Sequence, residues 1–387
     1  MVLFNFMSIK VLITGDYCPI GRNKKTIENG DYTSFFGEFK NVVDSVDYAV
    51  TNLESPITNS QNELLKSGPN IKGPIDGVLP LKMIGFNLAT LANNHILDYQ
   101  EKGVSDTLEF CAKNNIATVG AGSNLKNARR TYYKEIKGKV FAFINIAENE
   151  FCAATDTSYG ANPLNLINNH NDITEAKAKS DYIIVIPHGG REHYQLPTPQ
   201  VRERYRFFID CGADVVVGHH PHCYGGVESY QNKKIFYSLG NFIFDYKPKY
   251  QKGHWTEGMA IILKFDDTGI NYELIPFYQG RTKSPNLELM TGKSKDSFDE
   301  KIERLNSIIA NDKAFEVSWE NYITTQIKGY NGLLFVKNKY LRALFVKGLL
   351  PFINIASKNR KALLLNIYRC ETHKEIMIDV LKREIGE

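Results

Sequence analysis

The sequence predicts an α/β fold in which much of the strand pairing is parallel. Three observations carry this. Short runs of β-branched and aliphatic residues recur from Ile9 to Phe277, bounded by Gly, Pro, Asn and Asp. Segments with helical apolar spacing stand between several of them, the alternation that builds parallel sheets. Five of the runs also end in residues able to bind a metal ion, at the edge where open α/β sheets hold ligands.

In chain order, 10–14 (KVLIT) reads as a buried strand followed by Gly15-Asp16. A second strand at 47–51 runs into Asn52-Leu53-Glu54. A Gly/Pro loop at 68–74 and a short helix near 77–83 lead to a strand at 86–91, which ends in Ala92-Asn93-Asn94-His95. Residues 103–115 carry Val104, Leu108 and Cys111 at helical spacing. A strand at 116–119 enters Gly120-Ala121-Gly122, a tight turn that lacks the full pattern of a nucleotide-binding loop. Strands are expected at 140–146 and, after a helix at 172–179, at 182–186, the latter leading to Pro187-His188-Gly189-Gly190. Thr198-Pro199 opens a helix, with Thr as N-cap and Pro in the first position, and Gly212 closes it. The apolar run 213–217 then delivers Gly218-His219-His220-Pro221-His222. A strand at 234–239 precedes Gly240-Asn241-Phe242-Ile243-Phe244-Asp245, and 258–265 pairs with 270–277 around Asp267-Thr268-Gly269.

Composition sets the class. The chain is 43% hydrophobic and 23% charged, with 21 Tyr and 22 Phe, which excludes general disorder and supplies a full core. A net charge of +4 is too small to imply nucleic acid by itself. The six cysteines form no C-x-x-C pair, and no signal peptide or long apolar span stands out. The expectation is therefore a cytoplasmic protein.

The strand ends suggest the chemistry. Asp16, Glu54, Asn94-His95, His188 and the pair His220/His222 are polar at five places where a core needs none. Two carboxylates, an amide and three imidazoles, with a histidine to spare, are too many ligands for one tetrahedral zinc ion. They suit two adjacent divalent ions with mixed oxygen and nitrogen ligation, bridged by a carboxylate, and the natural reaction of such a site is hydrolysis of a phosphate ester. No Ser/His/Asp order or activated cysteine stands out, so a covalent hydrolase fits poorly. His219 reads as a rim residue or a support for the ligands, and His170, His193, His254 and His373 as surface or satisfied core. Lys72, in the Gly/Pro loop, is either a contact for a substrate phosphate or carboxylate or a solvated lysine.

The pieces G-D, N-L-E, A-N-N-H-x-x-D-Y, H-G-G-x-E, G-A-D-V-V-V-G-x-H-P-H and Y-S-L-G-N-F-I-F-D together resemble the capsule-synthesis CapA (poly-γ-glutamate synthesis) family, of the calcineurin-like metallophosphoesterase fold. The resemblance implies a four-layer α/β/β/α sandwich over 8–290 and two divalent ions (Mn, Fe or Zn). It makes Asp16 a ligand of the first ion, Glu54 the bridge, Asn94 and His188 ligands of the second, and His220 and His222 one ligand for each. His95 would act as general acid or steady the transition state, oriented by Asp98. Arg191 and Glu192 would line the site, and Asn241 and Asp245 would support it. The chain departs from the pattern where D-x-H reads Asp16-Tyr17-Cys18, with Cys18 either a soft ligand or a packed thiol. It also has Glu for the usual bridging Asp at position 54, and Gln100 where Gly is more usual. The implied function is a hydrolase of capsule, exopolysaccharide or poly-γ-glutamate metabolism, acting on a phosphorylated substrate or anionic polymer at a P–O or amide bond. The alternative is a non-catalytic assembly or polymer-binding factor.

Beyond the motifs, 296–387 reads as a helical extension. Phe298, Ile302, Leu305 and Ile309 share one helical face. Residues 328–370 hold nine Lys and Arg and no Asp or Glu, interleaved with leucine-rich runs. Such a segment contacts a membrane surface or a polyanion, or forms a helical layer with its cations in solvent.

Overall fold

The computed structural model describes residues 8–66, 68–335 and 338–350, with scattered residues beyond 356. The chain divides into two compact units, Met1–Phe315 and Glu316–Glu387.

The first unit is built on two sheets. One has the strand order Glu288–Leu289, Gly269–Tyr278, Glu257–Asp266, Ile9–Tyr17, Tyr48–Leu53, Leu88–Thr90, Ala117–Val119, with Asn241–Ile243 paired beside the end of Ile9–Tyr17. The other runs Val227–Tyr230, Lys233–Phe236, Val215–Val217, Tyr182–His188, Lys139–Ala147, Tyr132–Ile136. Each sheet has four successive parallel strands, so their carboxyl ends collect at one edge.

Three apolar layers make the sandwich. Leu12, Ala49, Leu53 and Ala89 face outward from the first sheet onto Ile27, Phe39, Leu81, Val104 and Cys111 of the helices that cover it. Ile13, Val50 and Leu88 face the other way and meet Phe143, Ile184, Ile186 and Val217 of the second sheet. The opposite face of the second sheet, with Ile144, Val185 and Val216, packs on Ile173, Tyr205 and Phe208. Alternation along each strand puts successive side chains into two different cores, and that is why both sheets read as continuous apolar runs.

The elements match the expected order, with informative exceptions. Helix Pro199–Cys211 starts on Thr198, whose side chain accepts from Val201 N, and ends at Gly212, whose φ of 124° a side chain would resist. Strand Tyr182–His188 runs two residues further than expected, so His188 lies within the strand. Helices Gly21–Glu28 and Phe39–Asp44 and the edge strand Tyr132–Ile136 gave no clear sequence signal. The domain boundary also moves. Helix Lys293–Ala310, expected in the C-terminal extension, belongs to the first unit, because Phe298, Ile302 and Leu305 fill the inner core beside Tyr224 and Val227.

The second unit contains helix Lys339–Val346, capped by the Asn338 side chain, which accepts from Tyr340 N and Leu341 N. Helix Asp312–Phe335 precedes it in the chain. Among the described residues, no helix is long and apolar enough to cross a membrane.

Candidate metal centre

The loops at the carboxyl edge are forced together by backbone. A Cβ on Gly15 would lie 1.8 Å from the Gly240 carbonyl oxygen, so only glycine lets the first strand end against the Leu239-Gly240-Asn241 turn. Asp16 N then donates to Gly240 O at 3.0 Å. Asn93 locks the third strand's loop: its Nδ2 donates to Leu53 O at 2.8 Å, and its Oδ1 accepts from His95 N at 3.1 Å. In the last loop, His220 and His222 hold φ of 99° and 56°, a region that costs about 1–3 kcal/mol for a non-glycine residue. Both imidazoles are turned into the same space as a result.

Six expected residues converge there. Asp16, Glu54 and His222 offer ligand atoms within 4.8 Å of one another, and so do Glu54, His188 and His220. Glu54 belongs to both groups, with its Oε1 3.6 Å from His188 Nε2 and 3.7 Å from His222 Nε2. His188 Nε2 is also 3.1 Å from Asn94 Oδ1 and 3.2 Å from His220 Nδ1. All five charged or imidazole groups are buried.

Neighbouring amides fix orientation. Asn241 Nδ2 donates to the carbonyls of His222 and Trp255, so its Oδ1 faces His222 Nδ1 at 2.9 Å. That assigns the proton to Nδ1 and leaves Nε2 of His222 as the lone-pair nitrogen toward Glu54. Asn52 Nδ2 donates to Asp16 Oδ1 at 2.8 Å.

The electrostatics bear on whether a cation fits these residues. Burial alone would raise the Asp16 carboxyl, but the His222 side chain and the nearby His219 and His188 hold it well below the ordinary carboxylate range. Glu54 goes the other way, pushed well above its usual value by burial and then by Asp16. Burial lowers His188 strongly and brings His220 down to about 4. Neither oxygen of Glu54 has a hydrogen-bond partner, although both are buried. A carboxylate in that state costs several kcal/mol unless a cation completes it. The donor set of carboxylates, amide oxygen and neutral imidazoles fits divalent Mn, Fe or Zn.

Next to this cluster lies a second buried group. His95 Nδ1 is 2.7 Å from Asp98 Oδ2, which also accepts from Ile71 N at 2.8 Å. The Lys66 side chain, 4% exposed, pairs with Asp98 Oδ1, and its Nζ lies 3.3 Å from His95 Nδ1 and 3.4 Å from Asn94 O. No motif pointed to Lys66. Lys72 is held elsewhere: it donates to Ser60 O, and its Nζ sits 4.3 Å from the centre of the Tyr99 ring.

The remaining expected residues separate. Glu192 is exposed, with its Oε2 3.9 Å from His193 Nε2, and its carboxyl is held below its usual value, against the effect of burial, by the charges of His222 and His220. Arg191, beside it, is also exposed. Asp245 is a clamp: it accepts from Arg22 Nε at 2.8 Å, Nη2 at 2.7 Å and backbone N at 2.8 Å, and so fastens the Gly21 turn. His219 is buried rather than on the rim, with Nε2 2.9 Å from Thr14 O. Cys18 packs with Ile71, Phe244 and Trp255, its thiol pushed well up by burial, and belongs to neither group of candidate ligands. Trp255, whose ring centre is 4.6 Å from that of His222, forms an aromatic wall with Tyr250 that the sequence reading did not anticipate.

Among curated proteins, the PGA biosynthesis protein CapA of Bacillus subtilis (strain 168) is 34% identical over 227 residues, covering 57% of this chain and 60% of that protein. The capsule biosynthesis protein CapA of Bacillus anthracis is 31% identical over 236 residues, covering 58% and 57%. This chain thus spans about 60% of the length of these relatives. Among solved structures, a 5'-nucleotidase from Candida albicans SC5314 aligns with a TM-score of 0.43 at 12% identity, over 71% of this chain and 52% of that one. Residues 10–246 match the model of the family described as bacterial capsule synthesis protein PGA_cap, and the chain belongs to that family.

Proposed function

We propose that the first unit is a metal-dependent hydrolase of capsule or poly-γ-glutamate metabolism, with two divalent ions bridged by Glu54. The observation that carries the reading is Glu54 itself, a buried carboxylate without a hydrogen-bond partner, shared by two three-ligand groups. Asp16 and His222 complete one site, and His188 and His220, with Asn94, the other. Bound ions at those positions would supply Lewis-acid activation of water and of a substrate oxygen.

The chain's own residues do the rest. Asp98 holds Nδ1 of His95, so Nε2 is the nitrogen available to a leaving group. Burial lowers His95, while Asp98 raises it. An incoming phosphate adds a second anionic neighbour, which favours the protonated ring and its role as proton donor. Lys66 pairs with Asp98 and fixes it, while its positive charge beside His95 Nδ1 opposes protonation of the ring in the absence of an anionic substrate. The same dinuclear arrangement suits a γ-glutamyl amide as well as a phosphoester.

The test is direct. Metal content is measured on the purified chain, followed by turnover on p-nitrophenyl phosphate, bis-p-nitrophenyl phosphate and γ-glutamyl-p-nitroanilide. The expected result is about two ions per chain and turnover on at least one substrate, falling by on the order of 100-fold or more in His95→Ala. Full metal occupancy without turnover on any of the three overturns the hydrolase reading and leaves the assembly-factor alternative.

A further inference from the structure

We infer that residues 338–350 form a docking surface for an anionic lipid bilayer. The observation is a concentration of exposed apolar side chains in a segment that carries only positive charge. Tyr340 is 71% exposed and Leu349 67%, and Leu341, Leu344, Val346 and Leu350 are exposed with them. Six large apolar side chains in eleven positions far exceeds the scattered surface residues of a soluble domain. Lys339, Arg342 and Lys347 stand among them, and no acid occurs anywhere in 328–370. Of the flanking apolar runs at 333–336, 351–353 and 363–365, only Leu364 and Leu365 lie among the residues whose side chains are described.

Local structure suits an interfacial segment. Helix Lys339–Val346 is short, and Gly348, with φ of +72°, ends it, so Leu349 and Leu350 follow on a turned chain. Such a segment cannot span a bilayer, but it can lay apolar side chains at the boundary between headgroups and acyl chains while its cations meet anionic headgroups. Tyr340 has the amphipathic ring that favours that depth.

The alternatives fit less well. A soluble polyanion would satisfy the cations but offers nothing to bury six apolar side chains against. A second copy of the chain would cover the apolar residues but would bring two wholly cationic segments together. A bilayer containing acidic lipid satisfies both features at once.

The experiment is flotation of the full chain with phosphatidylcholine vesicles, with and without phosphatidylglycerol. The expected result is binding only when phosphatidylglycerol is present, weakening as salt is raised. Replacing Lys339, Arg342 and Lys347 by Gln removes three cations and should weaken partitioning on the order of 100-fold. A second variant, Leu344→Asp with Leu349→Asp, should abolish flotation, and its metal content should equal that of the parent, which shows that the first unit is still folded. The inference is overturned if the parent floats with neither vesicle, or if both variants float as the parent does. It is also overturned if the leucine variant still binds soluble poly-glutamate as tightly as the parent binds vesicles, or if light scattering shows a parent dimer that this variant converts to monomer.

Discussion

Replacing Glu54 by Gln should stabilise the metal-free protein, the reverse of what most buried substitutions do. Glu54 has two buried oxygens without partners, and the Asp16 carboxylate beside it. An unsatisfied buried polar group costs about 1–3 kcal/mol, and a charged one more. Glutamine keeps the shape and removes the charge. The pH dependence gives the sign. Glu54 is raised in the folded state, so it keeps its proton there at pH values where the unfolded chain has lost it. Folding then binds a proton, and stability from this group falls as pH rises above the ordinary glutamate value of about 4.3. The slope is at most about 1.4 kcal/mol per pH unit, and it ends where folded Glu54 ionises. In EDTA, the glutamine variant should therefore match the parent near pH 4 and exceed it increasingly toward pH 7. With Mn2+ the order inverts, because ligand at a hundred times Kd adds about 2.7 kcal/mol to the parent alone. Thermal melts of both proteins, with EDTA and with Mn2+, at several pH values, decide it. If metal-free Glu54→Gln melts below the parent at neutral pH and retains the metal increment, Glu54 is an ordinary structural residue and the bridge is wrong.

Other substitutions separate ligands from supports. His219→Ala removes the bond to Thr14 O and should cost about 1–3 kcal/mol in urea melts while leaving metal stoichiometry unchanged, whereas His220→Ala should lose metal. Lys66→Met strands the buried Asp98 charge and should cost about 3–5 kcal/mol, partly restored by adding Asp98→Asn; metal content should hold while turnover falls. Thr198→Ala removes a helix cap far from the chemistry and should cost about 1 kcal/mol with no change in activity. Gly15→Ala should abolish metal binding, since its Cβ cannot coexist with Gly240 O and Asp16 is the next residue.

The parallel strands were legible because residues facing two cores cannot alternate with polar ones, and the resulting apolar runs end abruptly. Two of the helices over the first sheet, unlike those near 77–83 and 103–115, were not. Gly21–Glu28 buries only Asn23 and Ile27, and Phe39–Asp44 only Phe39 and Val43, too few positions to register as a periodicity. The edge strand Tyr132–Ile136 alternates weakly for the same reason, with one buried residue in five. The boundary of the first unit was misplaced because an amphipathic stripe shows that a helix has a partner without saying which one. Only the packing of Phe298, Ile302 and Leu305 beside Tyr224 resolves that.

The two lysines near the site show where sequence stops informing. Lys72 sits in a Gly/Pro loop that looks like a ligand cradle, yet its ammonium is spent on Ser60 O and the Tyr99 ring. Lys66 lies in an unremarkable polar stretch and reaches Asp98 because Ile71 N donates to the same carboxylate and Leu64 N to the Asp98 carbonyl, drawing the loop over His95. The strand-end residues could be read from the chain because each is held by the regular geometry of its own strand. Lys66 is held by a closure between residues about thirty positions apart, and nothing in its neighbours along the chain encodes that. In Lys66→Arg the charge stays, but a planar fork replaces a compact ammonium between two fixed acceptors, Asp98 Oδ1 and Asn94 O. If Lys66 acts through geometry, turnover should fall in this variant with metal content intact; if only its charge matters, the arginine variant should turn over as the parent does.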